Sequence, residues 1–212
     1  MMHRGIAITI LSGLMFFTAC NDPASNTTKA TTGQAAQVAS PAPPTAQGQK
    51  YVITPQNSKI EFVGSKVTGQ EKGSFGDFSG QIDYAGSPEN SRVNITIKLD
   101  SITTASPGLE KHLKTADFFD VAKFPEASFV STAIKAGGEN GASHTVTGNL
   151  TMHGVTKAIT FPATISVTPD AATVESSFSI NRKDFGINYA GAADNLIRDN
   201  VVLALHVRAT KS

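Results

Sequence analysis

The chain has 212 residues, 40% hydrophobic and 17% charged, the proportions of a globular protein with a sparsely charged surface. Its 18 Lys and Arg stand against 17 Asp and Glu, and a formal net charge of +1 gives no field that would gather nucleic acid or an anionic membrane surface. The single cysteine, Cys20, excludes an intrachain disulfide and a thiolate metal cage.

Residues 1–19 have the layout of a secretory signal peptide. His3 and Arg4 give a polar start, and Gly5 to Phe17 form an apolar run of about 13 residues. A membrane-spanning helix needs about 20. Thr18 and Ala19 are small and stand directly before Cys20. The arrangement resembles the bacterial lipobox, with Phe17 where an aliphatic residue is usual. That resemblance implies cleavage before Cys20 and lipidation of its sulfur. The other reading is an ordinary signal peptide cut near Ala19. Residues 20–49 are rich in Ala, Thr, Ser, Pro and Gln. Such a composition buries too little surface to offset the entropy of ordering, so a disordered tether with a reach of about 30 Å is expected. The folded domain is then 50–212.

From residue 51 the hydrophobic pattern has period two. Val93, Ile95, Ile97 and Leu99 alternate with polar residues over 92–100. Similar alternation marks strands at 158–168, 173–181 and 200–209, with weaker strands at 58–67, 73–84, 126–135 and 143–152. Pro162, inside one run, has no N–H to give a ladder and implies a bulge or an edge. Ser106-Pro107 opens a short helix, Ser as cap and Pro at the first helical position, expected to run to about Phe119. Residues 182–199 carry no clear pattern. About eight antiparallel strands with one dry face each close into a barrel or fold into a sandwich.

Large inward residues (Phe62, Phe78, Phe161, Phe178, Leu203) alternate with small ones (Gly64, Gly80, Ala133, Gly148, Ala163, Ser176). Small residues among aromatic ones leave room for an elongated apolar ligand. Glycines also mark barrel corners, so a cavity and a packed core both stay open at this point.

Three segments carry a family resemblance. They are His112-Leu113-Lys114-Thr115-Ala116-Asp117-Phe118-Phe119-Asp120 with Lys123-Phe124-Pro125 through Phe129, then Val146 to Lys157 around His153-Gly154-Val155-Thr156, then Ile180-Asn181-Arg182-Lys183-Asp184-Phe185-Gly186-Ile187. In this order, across 51–212, they resemble the motifs of the YceI-like family. The resemblance implies an all-β fold: an antiparallel eight-stranded lipocalin-like barrel with one short helix between strands 3 and 4. It also implies a periplasmic protein that holds a polyisoprenoid or similar long-chain lipid, and no catalysis. Many members have His where Lys66 stands here, and Lys66 is the possible contact for an anionic headgroup, or else a residue facing water at the mouth.

The expected lumen lining is Phe62, Phe78, Ile82, Phe129, Leu150, Phe161, Phe178 and Leu203. Arg182 and Asp184 are expected to form an ion pair, Asp117 and Asp120 to cap or end the helix, and Tyr189 and Asn195 to gate the mouth. There is no G-x-S-x-G and no H-E-x-x-H, and His112, His144, His153 and His206 lack metal-ligand spacing. The sequence therefore predicts a non-enzymatic binding protein with no cofactor, metal or nucleic acid. Its partners are a long-chain isoprenoid lipid or quinone and, through Cys20, a membrane on the periplasmic side of the bacterial cell envelope. The competing reading is a structural or interaction lipoprotein with a packed barrel and no ligand.

Overall fold

The computed structural model describes residues 22–37 and 48–212; the expected signal peptide and Cys20 lie outside the described residues. In chain order the strands are β1 (Thr31–Gln34), β2 (Gln49–Ile53), β3 (Lys59–Lys66), β4 (Gly69–Phe75), β5 (Phe78–Tyr84), β6 (Arg92–Lys98) and β7 (Ile102–Thr104). Helix α1 (Pro107–Leu113) follows, then β8 (Glu126–Ala136), β9 (His144–Met152), β10 (Val155–Val167), β11 (Ala171–Asn181), β12 (Gly191–Ala192), β13 (Asn195–Leu196) and β14 (Asn200–Lys211).

Eight antiparallel staves close a barrel. Three are broken by short interruptions: β2 with β3, β4 with β5, and β6 with β7. Around the barrel they are followed by β8, β9, β10, β11 and β14, and β14 closes the ring on β2 and β3. Helix α1 sits between the third and fourth staves, as expected. A twisted sheet of this size abolishes its edges by closing.

Local chemistry explains the joints. His153 (φ 52°) and Gly154 (φ 73°) form the two-residue β9–β10 turn, where both positions need positive φ. The Ser106 hydroxyl accepts from the Leu109 amide, and the Glu110 carboxylate accepts from the Thr104 amide at 2.7 Å, which fixes the start of α1. The helix ends at Leu113, six residues short of Phe119: the His112 carbonyl accepts from both the amide (3.0 Å) and the hydroxyl (2.8 Å) of Thr115, and the chain turns.

Pro162 sits at a local edge. β10 pairs with β11 over only four residue pairs, Thr164–Val167, whereas β11 pairs with β14 over eleven. Below Thr164 the two strands splay. The backbone face of Pro162 points into that gap, its carbonyl accepting from the Ser176 hydroxyl at 2.6 Å, so its missing N–H leaves no ladder partner stranded. A register shift lies elsewhere, in β8 between Ser131 and Ala133.

The gap is filled by residues expected to be a free tether. β1 pairs antiparallel with β10, from Thr31 opposite Thr160 to Gln34 opposite Lys157. Just before it, the Ala30 amide donates to the Ser179 carbonyl (2.8 Å) and the Ser179 amide donates to the Thr28 carbonyl (2.9 Å). Residues 28–34 thus span the seam from β11 to β10. Ala30, 2% exposed, packs in the cluster that holds Phe161, Phe178 and Ile180. Ala36 and Asn149 exchange two hydrogen bonds, and Asp22 meets Arg198 at 3.5 Å. Within 22–37 the disordered-tether expectation is therefore corrected. A polar, small-residue segment is ordered here because the splayed seam offers it backbone partners.

Candidate functional site

The lumen holds a cavity of about 230 Å³, walled almost wholly by apolar side chains and reaching toward the barrel end that carries α1 and the 182–199 segment. Alternation along the strands puts one face of each stave inside. Seven of the eight residues expected to line it do so: Phe62, Ile82, Phe129, Leu150, Phe161, Phe178 and Leu203. Phe78 is the exception. It is buried in the cluster that holds Tyr51 and Ile53, but it does not border the cavity. The Phe161 and Phe178 rings stack at 4.1 Å, with Phe129 5.7 Å from Phe161, and make an aromatic wall. Phe62 lies 5.8 Å from Phe75, which meets Phe119 at 6.2 Å near α1.

The small inward residues divide into two kinds. A Cβ on Gly148 would fall 2.3 Å from the Phe129 ring, and one on Gly80 would crowd Ile53 and Ile95. These glycines are seats for neighbouring side chains. Gly64 borders the cavity and has nothing within 4 Å of its missing Cβ. Of the six small residues expected inside, Gly64 is the one that borders the cavity.

Polar groups gather at one end of the cavity. Ser65, Lys66 and Glu71 border it. Ser65 is 5% exposed, and its hydroxyl oxygen is buried without a hydrogen-bond partner. Sequence reasoning passed over Ser65, because a serine in a half-polar strand gives no sign of being buried. The Lys66 backbone bridges to Ile197, which ties the β3–β4 hairpin to the 182–199 segment.

That segment is held by Arg182, 4% exposed. Its guanidinium donates to the carbonyls of Ile187 (2.7 Å), Arg198 (3.1 Å) and Ile197 (3.4 Å). Its ionic partner is Asp199 at 3.4 Å, not Asp184 as expected. Burial lowers the pKa of the guanidinium, and Asp199 opposes that shift. Asp117 does not cap α1; its carboxylate meets the His112 ring at 2.8 Å. Asp120 does not end the helix either, lying beyond Leu113; it has φ 47°, and its carbonyl accepts from the Lys123 and Phe124 amides. Tyr189 packs on His112 (5.0 Å) and Phe118 (5.4 Å), and the Asn195 side chain accepts from the Thr68 hydroxyl at 2.8 Å. Both lie around the mouth.

The three sequence motifs meet at the same end. The Phe124 ring lies 5.1 Å from His153, and His153 contacts the Phe185 carbonyl at 3.2 Å. Phe185 is fully buried, and Gly186 (φ 77°) closes the short 3-10 helix Arg182–Phe185. The motifs build the frame of the mouth. Among the described residues no three His, Cys, Asp or Glu side chains gather as a metal site.

A closed antiparallel barrel of eight strands, hollow and apolar inside with a few polar groups at one end, is the architecture of a small binding barrel. The chain belongs to the YceI-like domain family, whose model matches residues 51–209. A UPF0312 protein of Pseudomonas putida (strain GB-1) is 40% identical over 132 residues, 59% of this chain and 68% of its own length. BcnA of Burkholderia cenocepacia superposes with a TM-score of 0.66 at 25% identity, over 74% of this chain and 99% of BcnA. A polyisoprenoid binding domain from Saccharophagus degradans, at 19% identity, shares the fold with a TM-score of 0.61, over 78% of this chain and all of that domain.

Proposed function

We propose that the protein binds one long-chain isoprenoid lipid, a polyisoprenoid or an isoprenoid quinone, in the barrel lumen, and that a lipid on Cys20 holds it on the periplasmic side of a bacterial envelope membrane. Carriage or sequestration of that lipid is the role, and no catalysis is involved. The observation that carries the reading is the apolar cavity itself, with its polar groups confined to one end. Each CH₂ moved from water into it contributes about 0.8 kcal/mol before the cost of association. The ligand class follows the Saccharophagus degradans domain, which is described as polyisoprenoid-binding and shares this barrel.

The tail would lie against Phe129, Phe161 and Phe178, and the polar head would stop at Lys66. The lysine would favour an anionic head such as a phosphate.

The test is native mass spectrometry with lipid extraction on the full mature chain purified from a bacterial envelope. One long-chain species bound one to one, in addition to any lipid attached to Cys20, supports the proposal and names the ligand. A protein without bound lipid that takes up neither polyprenyl phosphate nor quinone defeats it, and leaves a packed interaction lipoprotein as the reading.

A further inference from the structure

Among the described residues, three large hydrophobic side chains are exposed, and two of them touch the same point of the rim. Val67, at the tip of the β3–β4 hairpin, is 48% exposed, and Leu196, in the β12–β13 hairpin, is 50% exposed. Their backbones are joined, since the Val67 amide donates to the Leu196 carbonyl at 3.1 Å. Each neighbours a cavity residue, Lys66 before Val67 and Ile197 after Leu196. The pair forms an apolar knuckle on the lip of the mouth.

The start of the ordered chain lies beside this knuckle. Asp22 pairs with Arg198, two residues on from Leu196, and the Arg198 amide donates to the carbonyl of Ser65, two residues before Val67. Residues 28–36 then fix the same segment along the β10–β11 seam. Cys20 precedes Asp22 by two residues, a chain length of about 7 Å when fully extended. A flexible tether would let the barrel turn freely some 30 Å from its anchor. The docked segment removes that freedom and brings the anchor point to the rim.

We infer that the Val67–Leu196 knuckle docks into the surface of the bilayer that holds the lipid on Cys20, so that the cavity opens onto the membrane. This rests on the lipid-anchor reading above. Two side chains are too little apolar area to hold a protein on a membrane, and a net charge of +1 adds no long-range attraction. Once the anchor confines the barrel, the same two side chains suffice to choose which end faces the bilayer, because the second contact is then intramolecular. With that orientation an isoprenoid passes between bilayer and lumen without its tail crossing bulk water.

The sequence has no tryptophan, so one introduced indole reports its own surroundings. The full mature chain carrying Leu196→Trp is reconstituted on phosphatidylethanolamine–phosphatidylglycerol vesicles whose acyl chains are brominated. Val67→Trp is the second reporter, and Asp170→Trp, in the exposed β10–β11 turn at the opposite end, is the control. The expected result is a blue shift and loss of emission for the two rim reporters and neither for Asp170→Trp. Mass spectrometry of the same samples reads the lipid on Cys20 separately. Rim reporters that stay in water on a Cys20-lipidated protein overturn the docking and spare the anchor. Rim reporters in water on a protein without that lipid overturn both. Quenching of Asp170→Trp in place of the rim reporters reverses the orientation and overturns the inference.

Discussion

Gly64 and Gly148 show how single residues set the lumen. A Cβ at Gly148 would lie 2.3 Å from the Phe129 ring and 2.6 Å from the Val130 carbonyl, so Gly148→Val cannot be absorbed by one rotamer change. Overpacking of this kind costs about 1–3 kcal/mol, and a lower urea midpoint is the expected reading. Gly64→Val enters open space at the cavity wall. It is expected to keep the urea midpoint and reduce lipid uptake, as measured by native mass spectrometry. Equal loss of stability in both variants would contradict the hollow placed at Gly64. Arg182 is the other single residue on which the mouth depends. Arg182→Ala strands three carbonyls, at about 1–3 kcal/mol for each that stays dry, so unfolding free energy should fall by about 2 kcal/mol or more. Arg182→Lys should not restore it, because an ammonium lacks the planar fork that reaches all three. Limited proteolysis within 186–199 should quicken in both variants.

Elements differed in how plainly the sequence announced them. The alternation of Val93, Ile95 and Ile97 and the Ser106-Pro107 cap sufficed for β6 and for the start of α1, because a half-buried strand and a capped helix are written in local order. The same alternation put eight residues in the lumen wall, and seven of them border the cavity. It wrongly added Phe78, which is buried on the inward side but does not border the cavity, and it could not give the Arg182–Asp199 pair, which depends on where a patternless loop returns. β1 was illegible for a clear reason. Thr31-Thr32-Gly33-Gln34 has no large apolar residue, and its one deeply buried neighbour is Ala30. Its strand character comes from the gap between β10 and β11, a feature of the closed barrel. That dependence can be tested. Ala30→Glu would place a carboxylate among Phe161, Phe178 and Ile180, and the segment should leave the seam rather than bury the charge. Hydrogen exchange should then accelerate at the Ser179 amide and at the β10 amides facing β1, by tenfold or more. The β9–β10 ladder should stay protected. Unchanged exchange at Ser179 would mean that the segment does not seal the barrel.

For the whole molecule, an apolar hollow in a small barrel has a thermodynamic consequence that does not depend on naming the lipid. Lining residues such as Phe62, Phe129 and Leu203 are only partly buried, so without a ligand they forgo dispersion contacts that a close-packed core would have. The empty protein should therefore be only modestly stable, and a ligand that binds the folded state alone should raise its stability by mass action. At a free ligand concentration a hundred times the Kd, the gain is about 2.7 kcal/mol. For a domain of this size, with roughly 2–4 °C per kcal/mol, the melting temperature should rise by about 5–10 °C. The experiment compares scanning calorimetry of the full mature chain before and after delipidation, and again after lipid is added back. Phe161→Asp, which puts a charge in the aromatic wall, serves as the second arm: if it folds, it should melt low and gain nothing from added lipid. A delipidated protein that melts where the loaded one does would mean that the lumen is filled by its own side chains in solution, and that the functional surface lies on the outside of the barrel.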